Sequence, residues 1–506
     1  MKVLGILCAC LAFVSNGFAF SLLGPYKAWM TEALAYRQPG DLGGPMNLGE
    51  GYRWNLPTIT YGFDQSFLDY FGEEGVRAVE EAFAVLNDLP PMSEIDVNAY
   101  PTDSTSFNLE AQVLGLRDLK SQTLVILLNQ LGLTEPTRFT YAIRARQSSA
   151  SGTDYVVIRL NFDPVTWIPA MNVNDVEYVY QIVDNAHGAD AWEVQVDPLD
   201  VGYNAVADRT LWLGGFYTGL TRDDVGGLRF LLRTNNVTVE RLPAPVSLAP
   251  AQTNAGTSAS LWWPGPPKPI TNVIDTAPRP GIDKLNFVRL SWESNRQQFV
   301  VLTNVFVDTY FTNAQRRQQS LQRVVTRPDI LFRAHDLRGE FHYVSYEPGK
   351  YSYAFMPRLF VQSDTSRWIS HDDINGLTQI GGPGVIPPGA TIDFGTPGRY
   401  VGLGNPNVIG QIDQWGVFNG STNPPVALLG PERASSVTIS SRIYNQDGAS
   451  VFEWTVLGIH EAVYRIERTT NLVDWTPVTT ITNVDGHFAF SEAVTSPRRF
   501  YRAVRE

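Results

Sequence analysis

At 506 residues, with 43% hydrophobic and 18% charged positions, the chain excludes large-scale disorder and is too long for one small core; about two to four domains are expected. A formal net charge of −12 excludes nucleic acid as the main partner, because phosphate binding needs a positive surface. The two cysteines, Cys8 and Cys10, both fall in the N-terminal apolar run.

That run has the pattern of a signal peptide spanning 1–19. Lys2 supplies the charged start, Val3–Val14 the apolar stretch, and Gly17 and Ala19 the small residues at −3 and −1 of a cut after Ala19. The apolar stretch is too short to span a bilayer, and no later segment reads as transmembrane. A secreted or cell-surface chain without cysteine is expected, which leaves no disulfide framework, thiol nucleophile or cysteine-ligated zinc.

Residues 20–56, with Pro25, Pro39 and Pro45 among glycines, read as an extended lead-in. An α+β domain is expected over 57–239. Pro57–Phe63 is β-rich, and a helix at about 75–87 puts Val76, Val79, Phe83 and Leu86 on one face. A second helix is expected over 109–131, weak at Gly115 and stopped by Gly132. Strands follow at 139–145, 155–161, 178–183 and 192–196. The closing helix at 221–232 starts at Thr221, with Asp224 completing a capping box, and ends before Asn235-Asn236. The prolines of 240–270 mark a linker. Residues 271–430 read as an antiparallel β-sandwich with one short helix at 314–325, and 431–506 as a second, compact sandwich module.

Two resemblances add to this reading. Leu220, Thr221, Asp223, Asp224, Val225, Gly227 and Leu228 resemble the closing helix of matrixin-type metalloproteases, which implies a zincin-like (metzincin-type) first domain. The segment Tyr464–Arg468, Asn471-Leu472, Trp475-Thr476 and Arg499–Arg502 resembles a C-terminal β-sandwich module of secreted bacterial proteins, Ig/FnIII-like, with a Trp anchor in its core and a hairpin at Asp485-Gly486. That module implies export and an accessory role. The fold class expected is an α+β zincin-like domain followed by all-β sandwich domains.

Matrixins hold zinc through H-E-x-x-H-x-x-G-x-x-H, two histidines one helical turn apart and a third beyond a turn. This chain has one histidine before the capped helix, His187, and no H-E-x-x-H; His460-Glu461 is followed by Tyr464 where the second histidine would stand. A different transition-metal site could be built from His335, His342, His371 and Asp372, although a seven-residue spacing places His335 and His342 on opposite faces of a strand. Calcium could occupy an acidic turn, but no D-x-D-x-D-G loop occurs. The carboxylate pairs Glu73-Glu74 and Glu80-Glu81 read as a solvated helix face, and no G-x-S-x-G or P-loop is present. Trp262, Trp263 and Trp368 are candidate interaction aromatics.

No cofactor and no catalytic residue is therefore expected. The expectation is a secreted, non-enzymatic structural or interaction protein of the bacterial cell surface. Its partners would be proteins, including copies of itself in a sheath, layer or filament. The alternatives are a divergent secreted hydrolase or metalloprotein on a metzincin-like scaffold, and a carbohydrate-binding accessory protein.

Overall fold

The computed structural model describes residues 19–30, 42–185, 188–200, 205–208, 211–243, 246–249, 273–293, 296, 298–334, 361–364, 368–374, 382–394, 400–401, 409–410, 414–428, 438–446, 449–457, 462–471, 473–484, 487–494 and 499–505. Strands predominate and helices are few.

The elements that position the site are, in chain order, β1 (Phe20–Pro25), β2 (Leu42–Met46), β3 (Thr58–Phe63), α1 (Gln65–Asn87), β4 (Leu116–Asp118), α2 (Leu119–Gln130), the pair β5 (Val176–Asn185) and β6 (Gly188–Gln195), and α3 (Arg222–Leu232). Then come β7 (Thr238–Arg241), β8 (Thr276–Arg279), β9 (Asn286–Arg289), the pair β10 (Leu302–Thr312) and β11 (Gln315–Val325), β12 (Ile330–Arg333), β13 (Val361–Asp364), β14 (Ala390–Phe394) and β15 (Gln414–Val417). The C-terminal strands are β16 (Thr438–Gln446), β17 (Ala449–Leu457), β18 (Val463–Thr469), β19 (Thr476–Thr482), β20 (His487–Ala493) and β21 (Phe500–Arg505).

The central layer is a five-stranded sheet in the order β9-β3-β12-β14-β13. Its first four strands run parallel, and β13 lies antiparallel on the edge. Helix α1 packs on it. Phe67, Phe71, Val79 and Phe83 meet Tyr61, Phe63, Phe332 and Phe394 in a network of tilted, edge-on and stacked rings. Asp64 caps α1 by accepting from the Phe67 N–H at 3.2 Å. The helical stretch begins ten residues before the expected Gly75, because a kink at Gly72 (φ 61°) joins a first helical segment from Gln65 to the one the sequence periodicity marks.

This sheet overturns the expected domain division. β3 comes from the first expected domain and β9, β12, β13 and β14 from the expected sandwich, and residues from both occupy one core that runs from Phe20 to Leu428. The segment after the Pro-rich stretch is not a self-contained antiparallel sandwich, since it joins β3 in parallel and β15 joins β4 in parallel. Strands on the two sides of that stretch pair with each other, β7 with β8. Nor are residues 20–56 a lead-in: Phe20, Leu22, Met46, Tyr52 and Trp54 are fully buried, and β1 is paired by β2.

Two expected helices also change. Residues 109–131 divide into a short helix at Leu109–Val113, strand β4 and helix α2, with the break at Gly115 (φ 70°) and Asp118 capping α2 through the Ser121 N–H at 2.9 Å. Residues 314–325 form β11 rather than a helix. Their Arg and Gln side chains are indifferent to backbone state, and pairing with the Val-, Phe- and Tyr-bearing β10 decides it; Asn313 and Ala314 reverse the chain at positive φ.

Helix α3 follows the sequence expectation. Its capping box is formed by Thr221 and Asp224, and Asn236 Nδ2 donates to the Leu231 carbonyl at its end, 3.1 Å away. Gly226 and Gly227 let it lie against its neighbours, since a Cβ on Gly226 would meet Pro164 at 2.0 Å and one on Gly227 would meet Leu133 at 2.7 Å and Phe20 at 3.1 Å.

The C-terminal strands form two antiparallel three-stranded sheets, β16-β17-β20 and β19-β18-β21, around Trp454, Tyr464, Ile466, Phe488 and Phe490. The buried Trp is Trp454, not the expected Trp475, which lies half-buried beneath the Arg502 guanidinium at 4.3 Å. The expected hairpin at Asp485-Gly486 lies outside the described residues.

Phe332, fully buried between α1 and both halves of the sheet, tests the shared core. Phe332→Ala is expected to cost about 3–5 kcal/mol. In urea unfolding, fluorescence probes placed before and after the Pro-rich stretch should shift together; separate shifts would mean two cores.

Candidate functional site

The sequence-derived candidates separate widely. His371 opens a short helix, His371–Ile374, half-exposed with Nδ1 3.9 Å from Asp372 Oδ1. His335 and His342, its expected companions, lie outside the described residues, as do His187, His460, Trp262 and Trp263. Among the described residues no group of three or more His, Cys, Asp or Glu side chains is placed to hold a metal ion. Trp368 is corrected outright: it is only 4% exposed and packs on the Tyr52 ring at 5.2 Å, so it is a core residue and not an interaction surface.

What the fold does bring together is a line of buried charge between the end of α3 and hairpin β10–β11. Arg53 donates from Nε to Glu240 Oε1 at 2.8 Å and reaches the carbonyls of Leu231 and Asn236. Arg279 holds Asp308 with two bonds, 2.9 and 3.1 Å, and donates to the Glu240 carbonyl at 2.6 Å. Thr238 Oγ1 supplies Glu240 Oε1 with a further bond at 2.6 Å, whereas Glu240 Oε2 has none. Each of these four charged side chains is almost entirely buried. Burial pushes the Glu240 carboxyl up, and Arg53 opposes this.

This line floors a cleft of about 340 Å³ whose walls include Asn55, Pro57, Phe306, Phe311 and Arg316. The guanidinium groups of Arg53 and Arg279 engage the Glu240 and Asp308 carboxylates across the strands that line the cleft. No sequence motif marks these four residues. The one available signal is charge inside short strand-like runs, Thr238-Val239-Glu240-Arg241 and Thr276-Ala277-Pro278-Arg279.

The second concentration of buried charge is the start of α3. Asp224 accepts from the backbone N–H groups of Val206, Ala207 and Thr221 at 2.9–3.0 Å and from Thr221 Oγ1 at 2.6 Å. Asp223 accepts the Asn174 N–H at 2.8 Å on Oδ2, while Oδ1 has no hydrogen-bond partner. Both are fully buried. Burial raises both carboxyls, Asp223 well above the ordinary range, and each lies beside the other's charge. Asp118 is a third such group, pushed up to about 6 by burial against the hydrogen bonds from Ser121 and Phe418 that favour its charged form.

No protein-family model, no curated protein and no solved structure matches this chain. The functional reading therefore rests on geometry.

Two outcomes test the buried charges. Glu240→Gln leaves Arg53 without a compensating charge and is expected to cost about 3–5 kcal/mol, read as a lower urea midpoint. For Asp118, the folded carboxyl binds its proton more tightly than the unfolded one, whose ordinary value is 3.8. The stabilisation is present below that value and is lost as pH rises through about 6, on the order of 2–3 kcal/mol. Unfolding free energy should therefore be higher at pH 5 than at pH 7.5, and Asp118→Asn should flatten part of that difference.

Proposed function

We propose that the chain is a secreted, non-enzymatic structural or interaction protein of the bacterial cell surface, which works through protein contacts made by its β-hairpins, including contacts with further copies of itself. The supporting observation is the outer face of β5–β6. Val179 lies opposite Val194 and Gln181 opposite Trp192, with Val196 continuing the row. On this face Val179, Trp192, Val194 and Val196 are each about half exposed, Trp192 at 53%, while Tyr178, Ala189 and Ala191 on the other face are buried. Hairpin β10–β11 repeats the arrangement with Val305, Val307 and Val324 exposed on one face. Rows of exposed β-branched and aromatic side chains on one face of a hairpin suit sheet-to-sheet contact.

The body built on the shared core is read as a zincin-like scaffold put to a non-catalytic use. The capped, doubly acidic α3 supports this, whereas the mixed sheet, with four of its five strands from beyond residue 285, lies outside the range of that resemblance. The signal-peptide pattern supports export, and no helix among the described residues is long and apolar enough to cross a membrane.

The test is light scattering of the chain beginning at Phe20 over a wide concentration range, beside the double variant Trp192→Lys/Val194→Lys. Concentration-dependent association that the variant abolishes is expected. A monodisperse monomer at every concentration, or association untouched by the variant, would overturn the reading.

A further inference from the structure

Asp223 presents an unsolved charge. Its side chain is completely buried, one oxygen has no hydrogen-bond partner, and Asp224 stands next to it. An ionised carboxylate in this position is answered only by the Asn174 and Ala19 N–H groups and the charge of Arg222, and a buried acceptor left unpaired costs about 1–3 kcal/mol. The group that faces it from β1 is the backbone N–H of Ala19, itself fully buried. Ala19 is the residue at −1 of the cut expected from the sequence.

We infer that removal of the leader by a signal peptidase installs the missing cation: hydrolysis of the Ala19–Phe20 bond creates an α-ammonium on Phe20 that pairs with the Asp223 carboxylate and ties β1 to α3. In that step water adds across the amide. Ala19 leaves with the leader as its carboxylate, and the Phe20 nitrogen takes up protons to become an ammonium. This goes beyond the assembly reading and rests only on its export component.

The surroundings fix where the new terminus lies. Phe20 pairs with Phe162, Ser21 with Asn161 and Thr134, and Leu22 with Met46 and Leu133. The Phe20 ring sits 5.5 Å from the Phe230 ring of α3, and Gly227 of the same helix has no side chain to hold the two apart. The Phe20 nitrogen is thus held about one residue, roughly 3–4 Å, from the nitrogen that faces Asp223 before cleavage. The departure of Ala19 vacates buried space beside the carboxylate. One neutral N–H is then replaced by three donors carrying a full charge, directed at an oxygen that otherwise has no partner. Before cleavage burial and the neighbouring Asp224 charge raise the Asp223 carboxyl, opposed by the Ala19 and Asn174 N–H groups and the charge of Arg222.

The experiment compares three forms of the full chain. One begins at Phe20 with a free amine, released from a cleavable N-terminal fusion. One is the same chain with its Phe20 amine acetylated, and one retains Gly-Ala19 ahead of Phe20. Each is made with Asp223 and with Asp223→Asn. The free-amine form should melt at least about 2–4 °C above the other two, and the advantage should vanish with Asp223→Asn. If that variant does not fold, reaction of the Phe20 amine with an amine-selective reagent decides instead, since a buried ion-paired amine reacts at least about tenfold slower than that of the urea-unfolded chain. Equal melting of the three forms, an advantage that persists without the Asp223 carboxylate, a freely reactive amine, or an exported protein whose first residue is not Phe20 would overturn the inference.

Discussion

Strand β3 is hydrogen-bonded along both edges by strands that arrive after a long excursion of the chain, and the fold depends on that closure. Asp329 shows how the register is held. Its carboxylate accepts the N–H and the hydroxyl of Thr60, 269 positions earlier, and both terminal nitrogens of Arg323. A loop of this length costs only modestly more to close than a shorter one, because the entropic term grows with the logarithm of length. The ring network of Tyr61, Phe63, Phe83, Phe332 and Phe394, closed off from water by α1, provides the compensating burial. The excursion from Asp88 to Leu285 is not a separate body, since α2 and α3 contribute to the same core.

Charge buried in such a core has to be answered locally. The line Arg53–Glu240–Arg279–Asp308 does so with guanidinium planes, each bonding backbone carbonyls as well as a carboxylate. Such pairs add little net stability relative to apolar residues of the same volume, but they penalise every register that leaves one partner alone. They run between the short strands β7 and β8 and the long strand β10. Asp118 and Asp224 are answered differently, by hydroxyl and N–H donors at helix starts. Asp223 has fewer donors than either.

The hairpins lie outside this logic. In β5–β6 one face is spent on the small core that includes Tyr141, Ile143 and Tyr178, and the other carries Trp192 and its valines into solvent. A fold that buries so many aromatic side chains yet leaves this row exposed has a surface on which protein contact would bury apolar area, which is the physical basis for an interaction role.

The sequence alone determined the elements whose signals are local. Helix α3 was legible because a capping box, two first-turn aspartates and an apolar face of 3.6-residue period occupy adjacent positions. The Gly132 stop, the strands near 142–158 and 176–195, and the sandwich pattern after 438 were legible for the same reason. The domain boundary was not: prolines at 243–269 mark irregular backbone, but whether the segments either side share a core depends on pairings between residues hundreds of positions apart. β11 was misread because Arg and Gln carry no preference strong enough to resist the strand opposite. The burial of Trp368 and the joining of Arg53, Glu240, Arg279 and Asp308 were likewise decided only in three dimensions. Burial and charge compensation are properties of which surfaces meet, and no window of adjacent residues encodes that.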